Sequence, residues 1–511
     1  MSYEMPHTET RRRTIVVIGA GYGGLQFFLE SLDLAIRQEL NDSLRYIFVD
    51  SRPVSEYGRG VAWATEQSDR MLTNNHCPEI VTDLETRETV GSIRGVCYSR
   101  EPTAGELFVK RTDVGAIFVD KFHTAITRAK QHGIELHTLV DEVIDVEKVG
   151  VNYDVILKSE QRLQADYIVM ALGHIAPTTY CKLLDCENYI GNPWVQITDE
   201  RVMPVDAEIA VIGLGPTAVD TIIKLRDCGI KNVKAYSRSG TMQYPRPIPS
   251  KYSLKIATED NIMKLAREMG HLRIDTLIGL VTAEFLIQEV DWMPFLDAVK
   301  ASRMPPLEAL RHGYAVSNKG ADWFGLISAL IDCIPISWHL LEDSERGKML
   351  KILNELSNVL YGMAPSNALR ILQELEDKTL KVFDNLIEIE HDKNSNQFSL
   401  IRKTVDGNIS DAADYVINCT GFGTDITQAE SPLVKNLVAR EILKPHEFGG
   451  AIVDFLTGQI TRSDSDKVHQ IYCLSGTLNI GTRLITNGLV DVAGSARRTA
   501  QAIHQRFCET L

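Results

Sequence analysis

A chain of 511 residues with 44% hydrophobic and 24% charged residues is typical of globular proteins, and its length predicts two or more domains. The net charge of −14 argues against nucleic acid and anionic membrane surfaces as partners. No apolar run is long enough to cross a membrane, because the best one, at 323–331, is stopped by Asp332 and Pro335. We therefore expect a cytoplasmic protein in which the nine scattered cysteines are free thiols.

The first predicted elements, within residues 14–50, are a strand, a glycine-rich turn, a helix and a second strand. The β-branched run 15–18 is typical of a strand buried on both faces, and apolar periodicity predicts a helix to about residue 40. The turn between them has the pattern G-x-G-x-x-G and comprises Gly19, Ala20, Gly21, Tyr22, Gly23 and Gly24. The second strand, 46–49, ends on Asp50.

Each residue type in this unit suits an adenine dinucleotide. Gly19 permits a tight turn, Gly21 lets a diphosphate approach the backbone, and Gly24 lets helix and strand pack closely. The helix N-terminus offers free N–H groups and a partial positive charge to the phosphates. Asp50 can accept hydrogen bonds from both ribose hydroxyls. The alternative is a glycine-rich turn in an α/β fold that binds nothing.

Two further segments, 58–63 and 70–76, read G-R-G-V-A-W and R-M-L-T-N-N-H. Their glycines would let the backbone approach a flat ring, and polar residues such as Asn74 and His76 could donate hydrogen bonds to it. A surface loop with two turn glycines explains the same pattern equally well, so the residues alone leave both interpretations open.

Strand ends on small residues recur along the chain. The buried strand 167–172 ends at Gly173, and the much later strand 415–418 leads to Gly421. Glycine is needed where a backbone passes close to a ligand, so the two turns predict crossings between two nucleotide-binding units.

The other elements predicted before residue 166 are a helix at 114–131, a strand at 134–139 and a meander at 143–149, 153–158 and 162–165.

A second nucleotide-binding pattern follows a strand that ends at residue 212. Its turn, G-x-G-x-x-A, comprises Gly213, Leu214, Gly215, Pro216, Thr217 and Ala218. A helix at 217–228 leaves the turn, and the strand 233–236 runs into Ser237 and Arg238. An acid there would bind a free 2′-hydroxyl, whereas an arginine beside serines suits a 2′-phosphate. The pattern favours NADPH over NADH; the alternative is a solvated arginine at a strand end.

Two such patterns in one chain favour a tightly held flavin at the first and a hydride donor at the second. Residues 261–380 show helical periodicity without metal-ligand spacing or a nucleophile motif, and we expect this block to wall the substrate pocket. Gly488 opens the last helix, whose N-terminus would face the flavin pyrimidine ring. The alternative is an ordinary capped C-terminal helix.

Strands are predicted again at 382–390, 398–402, 414–418 and 471–474.

The predicted fold is α/β, with two dinucleotide-binding (Rossmann-like) domains, one of them discontinuous, and a large helical insertion. Residues 1–205 and 381–511 would form the discontinuous FAD-binding domain. Residues 206–380 would form the NADPH-binding domain, with the insertion at about 261–380.

The motifs G-A-G-Y-G-G, M-L-T-N-N, G-L-G-P-T-A-V-D, S-R-S-G and N-C-T-G-F-G occur in this order. They resemble those of bacterial FAD–NAD(P)-binding proteins of the YdhS-like type and, more distantly, those of class B flavin monooxygenases, including N-hydroxylating enzymes. The resemblance implies FAD at the first turn and Asp50, with the loop around Asn74 near the isoalloxazine. It also implies NADPH at the second turn and Arg238. The sequence departs from many flavoproteins at 475–476, where it has Ser-Gly in place of Gly-Asp.

The predicted function is that of an FAD-dependent, NADPH-using monooxygenase, which takes O2 and a small polar substrate such as an amine or amino acid. The first alternative is a flavin dehydrogenase or reductase without oxygen insertion, and the second is a non-catalytic FAD-binding sensor. No catalytic residue is assigned, because the flavin carries the chemistry. His76, Tyr244 and Arg246 are the candidates for the pocket.

Overall fold

The computed structural model describes residues 12–197, 203–317, 319–461 and 469–509 of the protein. Its strands, in chain order, are β1 Arg13–Ile18, β2 Leu44–Asp50, β3 Val81–Asp83, β4 Glu88–Thr89, β5 Glu135–Val140, β6 Val143–Val149, β7 Asn152–Leu157, β8 Arg162–Ala165, β9 Tyr167–Met170, β10 Tyr189–Ile190, β11 Glu208–Ile212, β12 Asn232–Tyr236, β13 Ile248–Pro249, β14 Gly320–Ala321, β15 Leu380–Phe383, β16 Leu386–Asp392, β17 Gln397–Thr404, β18 Gly407–Ala413, β19 Tyr415–Asn418 and β20 Ile471–Cys473.

The helices complete the element order. They are α1 Tyr22–Arg37, α2 Val90–Arg94, α3 Ala104–Leu107, α4 Arg111–Gln131, α5 Pro193–Gln196, α6 Pro216–Asp227, α7 Glu259–Met269, α8 Ile274–Ile287, α9 Met293–Ala301, α10 Pro306–Ser317, α11 Asp322–Ile331, α12 Ile334–Leu340, α13 Asp343–Leu360, α14 Pro365–Glu376, α15 Pro432–Ala439, α16 Ile480–Arg483 and α17 Leu489–Glu509. Short 3₁₀ turns lie at Val54–Glu56, Val61–Trp63, Cys77–Glu79, Tyr98–Arg100, Cys181–Leu183, Ile426–Gln428 and Thr477–Asn479.

Five parallel strands form the first sheet, in the order β20-β9-β1-β2-β5. The β-branched residues of β1 are buried on both faces, as their sequence predicts. Helices α1, α4 and α17 cover one face, and the antiparallel meander β6-β7-β8 covers the other together with α15. The predicted strand–turn–helix–strand unit and the meander are therefore confirmed.

A second sheet of five parallel strands has the order β10-β19-β11-β12-β15. Helices α6, α10 and α14 pack on one face of it, and the antiparallel sheet β16-β17-β18 packs on the other. The molecule thus has two Rossmann-like units, and the predicted α/β fold class is confirmed.

The limits of the second unit differ from those predicted at 206 and 380. Strands β10, β15 and β19 all lie in the second sheet, although the prediction put these residues in or at the edge of the first domain. The chain leaves the first unit and returns to it at Ile175 and Gly423, which form a β-bridge. Strand pairing therefore favours a second unit of residues 176–422, because pairing joins distant segments that local patterns do not link.

The helical block predicted at 261–380 is confirmed as α7 to α14. Helices α10 and α14 pack on the second sheet, and the other helices of the block contribute to two further hydrophobic clusters. The single strand predicted at 382–390 is wrong. It is two strands, β15 in the second sheet and β16 in the antiparallel sheet, separated at Asn385 with a φ of +53°. The chain turns there because asparagine tolerates the left-handed region better than most residues.

No single helix in the described part of the chain is long and apolar enough to cross a membrane. The pair α11 and α12, bent by 48°, passes that test together by length and composition. Both helices bury most of their apolar side chains in the hydrophobic clusters of the block.

Candidate functional site

The first glycine turn lies at the carboxyl end of β1, the central strand of the first sheet. Gly19 has a φ of +98°, and a Cβ there would lie 2.5 Å from the carbonyl oxygen of Ala171. Gly24 packs α1 against the turn, since a Cβ would lie 2.4 Å from the Gly19 oxygen. The first N–H groups of α1 are thus held at the strand ends, where such folds bind a diphosphate.

The other two predicted residues of this turn have packing roles. The Tyr22 side chain is buried in the core, and its hydroxyl donates to the carbonyl oxygens of Val81, at 2.8 Å, and Leu489, at 3.2 Å. Gly23 lies against Val492 of α17, 3.6 Å from its would-be Cβ. Only the backbones of Tyr22 and Gly23 remain available to a ligand at the helix start.

Asp50 ends β2 beside the turn, where the sequence places it. One carboxylate oxygen accepts a 2.7 Å hydrogen bond from the Ala20 N–H, and Arg52 donates to both oxygens at 3.1 and 3.2 Å. The carboxylate therefore fixes the turn and the arginine together. The Arg52 backbone N–H adds a fourth hydrogen bond at 3.0 Å, so a ribose hydroxyl that binds Asp50 would have to displace Arg52 from it.

The segment 58–63 covers the first turn. The Gly58 N–H donates to the Ala20 oxygen at 2.6 Å, and the Gly60 Cα lies 3.3 Å from where a Gly21 Cβ would be. Arg52 and Arg59 each have a buried Nη1 without a hydrogen-bond partner in the described residues. Buried guanidinium nitrogens normally find a partner, and a dinucleotide diphosphate would supply one. The residues present therefore fit FAD.

A buried polar network extends from the segment 70–76. The Arg246 guanidinium donates to the Asn74 carbonyl oxygen at 2.8 Å and to Glu79 at 3.0 Å. Glu79 also contacts His76 Nδ1 at 3.2 Å and accepts from the Tyr98 hydroxyl at 3.0 Å. Burial alone would raise the pKa of Glu79, but Arg246 and His76 together outweigh it and lower the pKa well below its usual value.

Of the three pocket candidates, the structure brings His76 and Arg246 together and puts Tyr244 elsewhere. Burial lowers the pKa of His76, which keeps the ring neutral, and its Nε2 has no hydrogen-bond partner in the described part of the chain. The Tyr244 hydroxyl instead lies 2.7 Å from His312 Nδ1 in the helical block. Tyr244 is therefore a packing residue of that block.

The second glycine turn has the same backbone and more open surroundings. Gly213 has a φ of +115°, and a Cβ there would lie 2.4 Å from the Cys419 oxygen. Gly215 caps α6, and a Cβ there would meet nothing within 4 Å. Pro216, Thr217 and Ala218 are the first three residues of α6, and Ala218 is fully buried. The start of α6 is thus accessible to a diphosphate.

Ser237 and Arg238 follow β12 as predicted. The Ser237 hydroxyl oxygen accepts the Gly240 N–H at 2.8 Å, which shapes the turn after the strand. The Arg238 side chain is exposed and has no ion pair within the described ranges. A guanidinium held at this strand end has the charge and the five donors that a 2′-phosphate needs.

The two predicted crossings lie side by side. The Gly173 oxygen accepts the Thr477 N–H at 3.0 Å, and the Gly423 N–H donates to the Ile175 oxygen at 3.2 Å. The His174 ring stacks on Phe422 with centroids 4.1 Å apart. Both connections between the two units therefore pass through one place, at the carboxyl ends of β9 and β19.

The last helix begins at Leu489, directly after Gly488, whose carbonyl oxygen accepts the Val492 N–H at 2.9 Å. The Ser475 hydroxyl donates to Asp491 at 2.5 Å, and Arg483 pairs with the same carboxylate at 2.6 Å. Asp491 thus reaches the end of β20 from α17.

Charged side chains of this last helix and of the helical block interact with one another. Asp332 lies at the bend between α11 and α12, where desolvation by the surrounding protein atoms, with the carboxylates of Glu79 and Glu259, raises its pKa to about 6. Arg498 of α17 has two buried nitrogens without hydrogen-bond partners among the described residues, and burial lowers its pKa to about 10. No cluster of potential metal ligands occurs in the described part of the chain.

One further buried ion pair joins the two units and was not predicted from the sequence. Arg111, the first residue of α4, donates to Asp220 of α6 at 2.8 Å. Asp220 belongs to the motif G-L-G-P-T-A-V-D, but its partner lies 109 residues away in sequence. An aspartate on the apolar face of a predicted helix was the signal that could have identified it.

Residues 16–175 match a family model described as FAD-NAD(P)-binding. The match ends at Ile175, where the chain leaves the first unit. FAD and a nicotinamide dinucleotide are therefore the cofactors of this fold, as predicted. No curated protein sequence matches the chain.

Solved structures of similar fold cover the whole chain. Ornithine hydroxylase (PvdA) from Pseudomonas aeruginosa is 13% identical, with 97% of this chain and 100% of that chain covered and a TM-score of 0.58. L-lysine 6-monooxygenase from Pseudomonas syringae is 13% identical, with 96% and 99% covered and a TM-score of 0.56. The ornithine N-hydroxylase KtzI from Kutzneria sp. 744, described with reduced FAD, NADP+ and L-ornithine, is 12% identical, with 97% and 100% covered and a TM-score of 0.51. The chain therefore shares the fold of N-hydroxylating flavin monooxygenases.

Proposed function

From an FAD-NAD(P)-binding domain joined to a second dinucleotide-binding unit, we propose an FAD-dependent, NADPH-using monooxygenase that hydroxylates a small amine. The observation that carries the proposal is the pairing of the two glycine turns. Both units have their glycine turns at the carboxyl ends of parallel sheets, and the crossings at 171–175 and 419–423 join those ends. Ligands of such sheets bind at these ends, so a hydride donor and an acceptor would share one crevice.

The residues of the chain would hold the cofactors and exclude water. The N-terminus of α1, with Arg52 and Arg59, would bind the FAD diphosphate, and Asp50 the ribose. The segment around Asn74 would lie beside the flavin ring, with the N-terminus of α17 near its pyrimidine edge. When bound, FAD supplies the redox chemistry, for which the balance is RNH2 + O2 + NADPH + H+ giving RNHOH + H2O + NADP+.

The amine is supported by the charges that the helical block and the last helix bring together. Asp332 and Glu259 of the block carry negative charge, and Arg498 of α17 carries positive charge. A small zwitterion or diamine is complementary to such a mixture. The relatives of similar fold include an ornithine hydroxylase and an L-lysine 6-monooxygenase, whose names state amino-acid substrates.

Arg238 and Ser237 support NADPH as the donor, since a 2′-phosphate would pair with the exposed guanidinium.

A cytoplasmic location belongs to the same proposal. That compartment supplies NADPH and keeps thiols reduced, which suits nine free cysteines.

The first experiment is the visible spectrum of the purified protein, followed by anaerobic addition of NADPH. We expect a yellow protein whose flavin absorbance bleaches within seconds with NADPH and more slowly with NADH. Aerobic turnover with L-ornithine, L-lysine and cadaverine should then form a hydroxylamine in proportion to NADPH consumed. A colourless protein that takes up no added FAD would refute the proposal.

Two alternatives give different results in the same assays. A flavin reductase or dehydrogenase would bleach with NADPH but return all its electrons as hydrogen peroxide or to another acceptor, with no hydroxylated product. A non-catalytic FAD-binding sensor would be yellow and would not bleach with NADPH.

A further inference from the structure

The segment 71–75 of the first unit is fastened by two arginines, one from each unit. Arg111 Nε donates to the Leu72 carbonyl oxygen at 3.1 Å. Arg246 Nη1 donates to the Asn74 carbonyl oxygen at 2.8 Å. Between them, the Thr73 N–H donates to the Val109 oxygen at 2.9 Å. Three successive carbonyl or amide groups of this short segment are therefore held in place.

Each arginine is neutralised by a carboxylate of the opposite unit. Arg111, of the first unit, pairs with Asp220 of α6 at 2.8 Å. Arg246, of the second unit, pairs with Glu79 of the first at 3.0 Å. The two ion pairs thus run in opposite directions across the boundary, with the segment 71–75 between them.

Both pairs are shielded from water. The side chains of Arg111 and Asp220 are 9% and 3% exposed, and those of Arg246 and Glu79 are 10% and 22% exposed. The Arg111 guanidinium lies over the rings of Trp63 and Trp194, at 5.6 and 5.3 Å from their centroids. Buried ion pairs of this kind contribute little net stability but are costly to separate, so they hold one relative position of the parts they join.

We propose that the segment 71–75 and these two ion pairs are the positioning element of hydride transfer. Asp220 lies in the first turns of the helix that begins at the second glycine turn, and the segment lies beside the predicted position of the flavin ring. The pairs would therefore set the distance between the nicotinamide and the flavin. Reacting atoms must approach to about 3–3.5 Å, and a displacement of about 1 Å costs up to about 100-fold in rate.

This inference rests on the proposed function, since it requires NADPH to reduce a bound flavin. It assigns Arg111, Asp220, Glu79 and Arg246 as positioning residues, not catalytic ones. None of them need touch a reacting atom. Their removal should lower the rate of flavin reduction at saturating NADPH and leave the affinity for NADPH nearly unchanged.

The test is stopped-flow reduction of the FAD-loaded enzyme by NADPH under anaerobic conditions. Asp220→Asn and Glu79→Gln each remove one charge with little change of shape. The matched control is Asp227→Asn, because Asp227 lies on the same helix and pairs with Arg70 across the same boundary at 3.0 Å, with a more exposed arginine. Reduction by dithionite, FAD content and melting temperature report on the flavin site and the fold.

We expect Asp220→Asn and Glu79→Gln to lower the limiting reduction rate at least tenfold, while the Kd for NADPH changes less than threefold. Asp227→Asn and the dithionite reactions should match the wild type. Unchanged limiting rates in both variants, or a loss confined to the Kd, would overturn the inference. If Asp220→Asn fails to retain FAD, Arg111→Lys, which keeps the charge and shortens its reach, decides by the same criteria. A wild-type enzyme that NADPH does not reduce would instead refute the proposed function.

Discussion

The two glycine turns have nearly the same backbone and differ in what covers them. The first lies under the segment 58–63, with Gly60 against Gly21 and the buried arginines Arg52 and Arg59 near it. The second is open at Gly215, and its arginine, Arg238, is exposed. A covered turn suits a cofactor that stays bound through many turnovers, whereas an open one suits a cofactor that leaves after each. The difference in covering thus supports the proposal that the first site holds the flavin.

The largest expected effect concerns the last residue of each glycine turn, which is Gly24 in the first turn and Ala218 in the second. In Gly24→Ala the new Cβ would lie 2.4 Å from the Gly19 oxygen, and backbone cannot yield as a flexible side chain would. We expect this variant to be purified without FAD, as measured by the ratio of absorbance at 450 and 280 nm. The second turn already carries Ala218 at the matching place.

The matched variant of the first experiment is Ala218→Gly, which removes a Cβ at the second turn. It should keep the full FAD content, and its NADPH affinity should change only slightly. Normal FAD content in Gly24→Ala would contradict the assignment of the flavin to the first turn.

The next largest effect concerns Arg238. Charge-assisted hydrogen bonds contribute about 1.5–3 kcal/mol, so Arg238→Ala should weaken NADPH binding about 10- to 100-fold. NADH binding should change little, because it has no 2′-phosphate. Titration of each nucleotide against the oxidised enzyme measures both constants, and an unchanged ratio between them would refute the role of Arg238.

A smaller effect concerns the helix pair that supports the first turn. His504 of α17 is buried and contacts Ser31 and Gln38 at 2.9 Å, and burial lowers its pKa to about 4. The unfolded chain protonates this ring below about pH 6.5, while the folded one resists protonation. Stability from His504 is therefore present above pH 6.5 and is lost as the pH falls towards 4.

Urea unfolding of wild type and His504→Gln at pH 8 and pH 5 measures how much His504 contributes to the pH dependence of the free energy of unfolding. Between these pH values the free energy of unfolding should fall by about 2 kcal/mol more in the wild type than in the variant. Equal losses would show that His504 does not titrate as its burial requires. The FAD absorbance should follow the same transition, because α17 packs on α1 beneath the first turn.

The smallest effect sharpens the contrast at the second turn. A Cβ at Gly215 would meet no protein atom within 4 Å, so Gly215→Ala should fold normally and retain FAD. Its methyl group would lie where the nucleotide diphosphate approaches, and we expect a three- to tenfold higher Kd for NADPH. A much larger loss would mean that the second turn is covered when NADPH binds.

The sequence identified both turns because their signals are local. Gly19 and Gly213 follow buried strands and precede helices within a few residues, and the observed elements agree with the pattern. The strand pairing departs from the predicted domain limits where signals are not local. Strands β15 and β19 join the second sheet through pairs with β12 and β11, and nothing near residues 380 or 415 encodes these partners.

The same distinction explains the site. The glycines and Asp50 could be named from spacing, and the strand end at Arg238 from its position. The ion pair of Arg111 and Asp220 could not be named, because an aspartate on the apolar face of a helix indicates a buried partner but does not identify Arg111, which lies 109 residues away. Tyr244 was offered as a pocket residue for its chemistry, but the helical block buries it against His312.

The β-bridge between Ile175 and Gly423 has a practical consequence. The chain leaves for the second unit and comes back at two residues whose backbones are hydrogen-bonded, 3.2 Å from N to O. Residues 176–422 could thus be deleted and residues 175 and 423 joined by a short Gly-Ser linker without distorting the backbone of the first unit. Such a shortened chain would carry all five strands of the first sheet but would lose Asp220 and Arg246, the two residues of the second unit that hold the segment 71–75 in place.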